Sequence, residues 1–406
     1  MTRDWAPTFG ARGSTEGALP ELLVVAGEAS GDRAAAAVVA KLRGRCRAFG
    51  MGGGALQREG VELLADLRTT TALGVGEVAR RAYGVGVAWG RLRAAIKKRR
   101  PGAALLVNYT EFNARLAPLL WREGTRVLWY GAPQIWAWRS GRAEPLRRHL
   151  DRLAVMLPFE EPLWRQRGVD AHYVGHPALE DRRGPEHRVA ARELLGLTPF
   201  AWAVAILPGS RPHEVRRLLE PMLTGYEAVR GDRASVDARV MLAASLDDRT
   251  RAWAKDLARA RGVEAVDVDA RAGVAYALPA FDAALCASGT ASLECALARV
   301  VPVVCYRVGW ATEVGARALL ATRHVALPNV LLGREAFPEL LQRNAAAGRI
   351  ADELARVLDE RDTLLATCAE VEQLLGDHPS PSREVARMLE PWLAVPAVGS
   401  GPRKAC

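Results

Sequence analysis

A strand, a glycine turn and a helix start follow one another between Trp202 and Val215, and this stretch constrains the fold more than any other. The run from Trp202 to Leu207 is wholly apolar, which is typical of a strand buried on both faces in a parallel sheet covered by helices. A proline and Gly209 end the strand, and Ser210 or Arg211 can begin the next helix. Free backbone N–H groups at this helix start, beside the guanidinium of Arg211, predict an anion site. An ordinary connection with a surface arginine is the alternative.

A second turn of the same kind, Ser288-Gly289-Thr290, follows the apolar stretch from Ala283 to Ala287. Its small side chains let a ligand approach the backbone closely, and Thr290 adds a hydroxyl. Glu294 lies one helical turn further on, where a carboxylate can accept hydrogen bonds from ribose hydroxyls, as the acidic residue does in dinucleotide sites. A solvated helix acid is the alternative role for Glu294. The second turn favours anion binding at both places over two ordinary connections.

The first half of the chain predicts further strands whose ends carry polar residues. Leu22 to Ala26 is followed by a turn with two glycines and a serine, and Ala103 to Val107 is followed by Asn108. Such turns lie at the carboxyl edge of a sheet, where open α/β sheets bind ligands. Glu111 is the only carboxylate in the segment from Asn108 to Asn113, which follows the strand from Ala103 to Val107, so it is a candidate general base. Its alternative role is a helix-start acid that interacts with the helix dipole.

The charge balance, 56 basic against 46 acidic side chains for a net charge of +10, favours anionic partners such as nucleic acid, acidic lipid surfaces or phosphorylated metabolites. A proteome-wide bias toward basic residues would give the same excess.

At 406 residues, two domains are expected. The six cysteines show no metal-ligand spacing, as expected of core residues in a reducing compartment. No apolar run approaches the ~20 residues that span a bilayer, and the N-terminus lacks a signal peptide, so a cytoplasmic location is predicted.

The segment from Leu73 to Arg100 mixes apolar residues, glycines and arginines and ends in a Lys-Lys-Arg-Arg cluster. A helix with Val85, Val87, Trp89, Leu92 and Ile96 exposed beside that cluster would lie on an anionic membrane surface. The alternative is a helix packed on the sheet with a solvated basic end. The residues predicted to face such a surface are Leu73, Val75, Val78, Trp89, Lys97, Lys98 and Arg99.

Composition and turn residues divide the chain into five parts. Residues 1–20 and 396–406 are expected to be disordered tails, 21–180 and 187–375 to be two α/β domains, and 376–395 to be a terminal helix. Asp267 and Asp269 superficially match the metal-binding acidic pair of one class of sugar transferases. No third oxygen ligand follows them, so no metal site is predicted.

Nine short motifs, in order from about residue 22 to residue 342, resemble those of the lipid-A-disaccharide synthase family. Each is short, but their serial order makes the resemblance specific. They are Ala26-Gly27-Glu28-Ala29-Ser30-Gly31-Asp32, Glu111-Phe112-Asn113, Ile135-Trp136-Ala137-Trp138-Arg139, Leu157-Pro158-Phe159-Glu160, Gly175-His176-Pro177, Leu207-Pro208-Gly209-Ser210-Arg211, Ala287-Ser288-Gly289-Thr290-Ala291, Leu327-Pro328-Asn329 and Glu339-Leu340-Leu341-Gln342.

The resemblance implies a B-type glycosyltransferase fold, with two Rossmann-like domains facing each other across a cleft and a last helix that returns to the first domain. It implies an inverting, metal-independent transfer from UDP-2,3-diacylglucosamine to 2,3-diacylglucosamine 1-phosphate, with the UDP-sugar as substrate and no cofactor. The first domain would face the acceptor and an anionic inner-membrane surface, to which the protein would bind peripherally. The residues implied for donor binding are Ser30, Gly31, Gly209, Ser210, Arg211, Ser288, Gly289, Thr290, Glu294, Asn329, Glu339 and Gln342.

One departure concerns the catalytic base, because Asn108 stands where the family usually has an aspartate. An amide cannot take up a proton near neutral pH, and the loss of a general base typically costs ~10²- to 10⁴-fold in rate. Three outcomes are open: Glu111 takes over, the enzyme is slow, or the chain is a paralogue that binds UDP-sugar or lipid without efficient transfer. The catalytic candidates are Asn108, Glu111 and Arg211.

Nucleic-acid binding is not predicted, because no recognised module accompanies the positive charge, and a homodimer is left open.

Overall fold

The computed structural model describes residues 19–66, 77–131, 133–136, 143–233, 235–269, 272–307 and 323–394, with only the backbone described for 77–82, 143 and 145. Within these ranges the chain forms two α/β domains, each built on a parallel sheet. The predicted tails, 1–20 and 396–406, fall outside the described residues apart from Leu19 and Pro20.

The first domain is built on seven parallel strands in the order β3-β2-β1-β4-β5-β6-β7. The strands are β1 (Glu21–Ala26), β2 (Arg47–Gly52), β3 (Glu62–Asp66), β4 (Ala103–Val107), β5 (Arg126–Tyr130), β6 (Arg152–Val155) and β7 (Ala171–Tyr173). The helices are α1 (Ala29–Lys41), α2 (Gly54–Arg58), α3 (Glu77–Arg99), α4 (Thr110–Arg122), α5 (Ala143–Arg147), α6 (Glu160–Arg165) and α7 (Ala178–Asp181).

The second domain repeats this arrangement with six parallel strands in the order β10-β9-β8-β11-β12-β13. The strands are β8 (Trp202–Leu207), β9 (Val236–Leu242), β10 (Glu264–Asp267), β11 (Ala283–Ala287), β12 (Val301–Tyr306) and β13 (Glu339–Leu341). The helices are α8 (Arg188–Leu194), α9 (Pro212–Asp232), α10 (Asp248–Ala260), α11 (Thr290–Leu297), α12 (Leu327–Leu332), α13 (Ala347–Asp359), α14 (Arg361–Leu375) and α15 (Pro381–Leu393), and short 3-10 segments lie at Pro185–His187, Leu278–Ala280 and Gln342–Asn344.

The central strands of both sheets are apolar throughout because helices cover both of their faces. β4 and β11 are buried at every position, and β8 at every position but its first. The parallel-sheet prediction from apolar runs is therefore confirmed, and the run from Trp202 to Leu207 is β8 itself. Since all strands of a parallel sheet end at one edge, the residues after β1, β4 and β8 are brought to the carboxyl edges, where ligands bind.

The last helix, α15, packs on the first domain although it follows the second in sequence. Its apolar residues Val385 and Leu389 lie in one core cluster with Leu22 and Val39 of β1 and α1. The guanidinium of Arg152 donates to the carbonyl of Met388 at 2.9 Å. This helix therefore joins the two ends of the chain.

The helix predicted between Leu73 and Ile96 forms as α3, but it packs on the sheet. Leu92 and Ile96 are fully buried, and Trp89 packs edge-on against Phe112 with ring centroids 5.7 Å apart. The prediction that these apolar residues are exposed is wrong for Leu92 and Ile96, because they complete the core beneath the sheet. In the described part of the chain, none of the helices is both long and apolar enough to cross a membrane.

A buried carboxyl group lies near the seam between the domains, at the start of α6. Glu160 accepts hydrogen bonds from the Trp136 indole at 2.9 Å and from the Leu157 backbone N–H at 3.1 Å. Trp136 meets Phe159 edge-on, and both rings pack against the core of the second domain. Burial raises the pKa of Glu160 from 4.5 to about 7.

This burial predicts a pH-dependent stability. Because the folded-state pKa of Glu160 is raised, its contribution to the free energy of unfolding is full below pH 4.5 and is lost as the pH rises through about 7. At ~1.4 kcal/mol per pKa unit, the loss is about 3–4 kcal/mol. The free energy of unfolding is measured by denaturant titration at about pH 5 and about pH 8. In Glu160→Gln, which cannot ionise at this position, we expect a smaller fall in this free energy between the two pH values than in wild type. Glu193→Gln, at an exposed position on α8, is the control, and a wild-type slope in Glu160→Gln would contradict the assignment.

Candidate functional site

A cleft lies between the two domains at their carboxyl edges. The first domain contributes one face of α1, the ends of β4, β5 and β6, and residues between His176 and Asp181 after β7, while the second contributes the start of α11 and the last helix contributes Ser382. Among the predicted site residues, those that line the cleft are Ser30, Asn108, Thr290 and Glu294. Cleft-lining residues that the sequence analysis did not assign to the site include Arg33, His176 and Asp181.

Two ion pairs cross from one domain to the other beside the first turn of α1. Arg211 of the second domain lies 3.5 Å from the carboxylate of Glu28 in the first. Arg33 of the first domain lies 3.6 Å from the carboxylate of Glu294 in the second. Arg211 therefore faces the gap between the domains. Arg33 lies in an alanine-rich helix, and its neighbours in sequence give no sign of this role.

The turn after β8 holds an internal carboxylate. The backbone N–H groups of Ser210 and Arg211 donate to Glu214 at 3.1 and 3.2 Å, and the Arg211 guanidinium donates to the same side chain at 3.1 Å. The expectation that these N–H groups are free is wrong, because the acid in the first turn of α9 caps its own helix start. The turn therefore surrounds a carboxylate of its own chain.

The turn after β11 is open by comparison. The Ser288 hydroxyl donates to the Val325 carbonyl at 2.9 Å, and a Cβ built on Gly289 would meet no atom within 4 Å. Glu294 follows on α11 with its side chain 13% exposed. Burial raises the pKa of Glu294, the nearby Arg33 opposes the rise, and Asp181 adds to it.

Asn329 and Glu339, both expected to hold the nucleotide, bind to each other instead. The Asn329 amide donates to Glu339 at 2.8 Å and accepts from the Phe337 N–H at 2.9 Å. Glu339 also accepts from the Val325 N–H at 2.9 Å. Asn329 is fully buried, so this pair organises the loop beside Ser288 rather than offering free polar groups. The carbonyl of Gln342, the third residue of this set, accepts from Arg307 at 3.2 Å.

Asn108 lies in the cleft in a left-handed backbone conformation, with φ of 48°. Its side chain fits between two glycines, since a Cβ on Gly131 would lie 2.1 Å from Oδ1 and one on Gly31 would lie 3.5 Å from Nδ2. Glu111 is exposed in the first turn of α4 and is not among the cleft-lining residues. This position favours its alternative role as a helix-start acid.

Two neighbours of the site have structural roles. Asp32, which is in the first motif, is buried and accepts from the N–H groups of Gly53 and Ala55 at 2.7 and 2.9 Å, so it caps α2. The ring of Tyr109 lies over Gly27, where an added Cβ would be 2.0 Å from Tyr109 Cγ. It also stacks on Phe112 with ring centroids 5.3 Å apart. Gly27 thus lets the residue after Asn108 pack against the end of β1.

The residues predicted to face the membrane are only partly described. Leu73 and Val75, together with the side chain of Val78, lie outside the described residues. Lys97 and Lys98 are exposed, whereas Arg99 pairs with Glu62 at 2.5 Å. Among the described residues, no group of three or more His, Cys, Asp or Glu side chains is arranged to hold a metal ion.

Comparison with known proteins identifies the family. The family model described as lipid-A-disaccharide synthetase matches residues 22–388. The chain belongs to this family. Relatives of the lipid-A-disaccharide synthetase family include the lipid-A-disaccharide synthases of Myxococcus xanthus (strain DK1622), 41% identical over 91% of this chain and 97% of the relative, and of Syntrophus aciditrophicus (strain SB), 37% identical over 87% and 92%.

Solved structures with the same fold are more distant in sequence. UDP-GlcNAc 2-epimerase from Neisseria meningitidis, bound to UDP-GlcNAc, has a TM-score of 0.65 at 10% identity over 91% of this chain and 99% of that one. The spinosyn rhamnosyltransferase SpnG, complexed with thymidine diphosphate, has a TM-score of 0.57 at 15% identity over 92% and 100%. The predicted family, B-type fold and glycosyltransferase class are therefore confirmed.

The contact between Gly27 and Tyr109 predicts a steric effect on the site. Gly27→Ala would place a methyl group within 2.5 Å of three Tyr109 carbons, so the ring must shift. Such overpacking typically costs about 1–3 kcal/mol, and we expect a lower melting temperature together with a loss of transferase activity. Gly348→Ala, where a Cβ meets nothing within 4 Å, is the matched control. If Gly27→Ala has the same melting temperature and transferase activity as Gly348→Ala, the contact between Gly27 and Tyr109 does not constrain the site.

Proposed function

We propose that the protein transfers 2,3-diacylglucosamine from its UDP donor to 2,3-diacylglucosamine 1-phosphate and releases UDP. The observation that carries the proposal is the position of Arg211, which belongs to the second domain and faces Glu28 across the cleft at 3.5 Å. A guanidinium at this gap can pair with two oxygens of a diphosphate. Family membership supports the substrates, because the matching relatives are lipid-A-disaccharide synthases.

In this proposal the nucleotide binds to the second domain. The diphosphate takes the donors now bound to Glu214, namely the N–H groups of Ser210 and Arg211 and the Arg211 guanidinium. The open backbone at Gly289 and the start of α11 provide a second contact, and Glu294 is placed to accept from the ribose. No resident cofactor is needed, because charge on the departing UDP is stabilised by donors already in position.

The reaction is a single displacement. A hydroxyl of the acceptor attacks the anomeric carbon of the donor sugar, the bond to the UDP oxygen breaks, and the configuration inverts. The proton of the attacking hydroxyl must leave, and Asn108 cannot accept it. Asp181 and Glu294 line the same cleft, and burial raises the pKa of both carboxyls. A raised pKa suits a carboxylate to proton acceptance.

The acceptor and the membrane are assigned to the first domain. Lys97 and Lys98 are exposed at the end of α3, and Tyr83 on the same helix is 75% exposed. Basic side chains and an exposed aromatic ring on one helix suit peripheral contact with an anionic lipid surface. The cytoplasmic location and the homodimer stay predictions.

Acceptor-dependent release of UDP tests the proposed transfer. Arg211→Ala removes the guanidinium expected to hold the diphosphate, so kcat/KM should fall about 100-fold or more. Arg217→Ala, which removes an exposed arginine from the same helix, should behave like wild type. UDP release by wild type without acceptor would indicate a hydrolase or an epimerase-like activity on this fold instead.

A second candidate function, binding of UDP-sugar or lipid without efficient transfer, is favoured by Asn108. Asn108→Asp keeps the shape of the side chain and adds a proton acceptor in the cleft, so we expect kcat to rise at least tenfold, within the ~10²- to 10⁴-fold range of general-base catalysis. Steady-state rates and the donor KM for both proteins provide the measurement. A wild type that turns over briskly and is unchanged by Asn108→Asp would exclude the impaired alternative.

A further inference from the structure

One hydrogen bond fixes the tautomer of a buried histidine in the cleft. His176 is 6% exposed, and its Nδ1 accepts from the backbone N–H of Ala178, the first residue of α7, at 3.1 Å. A ring nitrogen that accepts a backbone N–H carries no proton, so in the neutral ring the proton lies on Nε2. His176 is thus a hydrogen-bond donor on the side away from α7.

Burial keeps this ring uncharged. Desolvation lowers the pKa of His176 to about 4, and no charged side chain contributes to the shift. The titratable side chains that line the same cleft are Arg33, Tyr130, Glu180, Asp181 and Glu294. At neutral pH the imidazole is therefore a fixed neutral donor, unable to give up or take up a proton as an acid or base.

The Nε2–H group of His176 has no hydrogen-bond partner among the described residues, while the ring lines the cleft beside Asn108 and Met156. An unpaired donor on the wall of a cleft is available to an acceptor atom of a ligand. We infer that His176 Nε2–H donates to an uncharged oxygen of the acceptor substrate, a sugar hydroxyl or an acyl carbonyl. This inference rests on the proposed function.

The position of His176 and the charges around it indicate which part of the acceptor it binds. His176 follows β7 and lines the cleft together with Asn108, Tyr130 and Met156 at the ends of β4, β5 and β6, whereas the two turns suited to phosphates belong to the second domain. The nearby Glu180 and Asp181 carry negative charge, which disfavours a phosphate at this point. A neutral donor next to carboxylates suits a neutral oxygen, so His176 is a binding residue that orients the acceptor rather than its phosphate.

Two substitutions separate this role from a structural one. Asn keeps an acceptor where Nδ1 lies, so His176→Asn retains the bond from Ala178 but lacks the Nε2 donor. Gln carries an amide nitrogen where Nε2 lies, so His176→Gln retains the donor but loses the bond to α7. We expect His176→Asn to raise the acceptor KM about tenfold with an unchanged donor KM and melting temperature. We expect His176→Gln to keep the acceptor KM and to melt at a lower temperature.

A normal acceptor KM in His176→Asn, together with a raised acceptor KM in His176→Gln, would overturn the inference. A lower kcat with an altered pH profile in both variants would overturn it as well. Calorimetric titration with a short-chain diacylglucosamine 1-phosphate reads binding without turnover. If wild type releases no UDP but binds this probe more tightly than His176→Asn does, the proposed transfer fails and the inference stands. Nitrogen NMR of the labelled imidazole should show the Nε2–H tautomer from about pH 6 to pH 8, and a protonation midpoint within that range would contradict it.

Discussion

The arrangement of the cleft depends on two ion pairs that run in opposite directions across it. Arg211 and Glu28 are 55% and 48% exposed, whereas Arg33 and Glu294 are 31% and 13% exposed. Exposed pairs contribute little to stability because water screens them. The outer pair can therefore open at little cost. The inner pair, which also rests on Gly273 of the second domain, keeps α1 against α11.

The two phosphate-type turns prepare for an anion in different ways. At the start of α9, Glu214 holds the N–H groups of Ser210 and Arg211 in position, so a carboxylate stands in for the ligand. At the start of α11, Gly289 leaves the backbone open. The N–H groups of Ser210 and Arg211 are therefore paired, which avoids the free-energy cost of unsatisfied donors.

The sequence predicts the scaffold better than the side-chain contacts. Apolar runs identified β4 and β8 because burial on both faces leaves a continuous pattern. Glu214 caps the helix in which it lies, so this contact depends only on nearby sequence. An acidic residue at the third position of a helix is typical of such a cap, and the sequence could have predicted it. Arg33 and Asn329 could not be placed in this way, since their partners lie in other elements and depend on how the domains pack. The same holds for α3, whose apolar side is equally suited to lipid or to a sheet.

The cleft wall at residue 108 is shaped for a short polar side chain, and in this protein that side chain is not a base. Asn108 and Tyr109 both adopt left-handed backbone conformations, which asparagine tolerates better than most residues. Gly31 and Gly131 clear the space for the side chain. An aspartate has the same shape, so exchange at this position changes proton affinity with little change in geometry. Desolvation that raises the pKa of Asp181 and Glu294 would act on a carboxyl at residue 108 as well, which would move its pKa toward neutrality and make it a stronger acceptor.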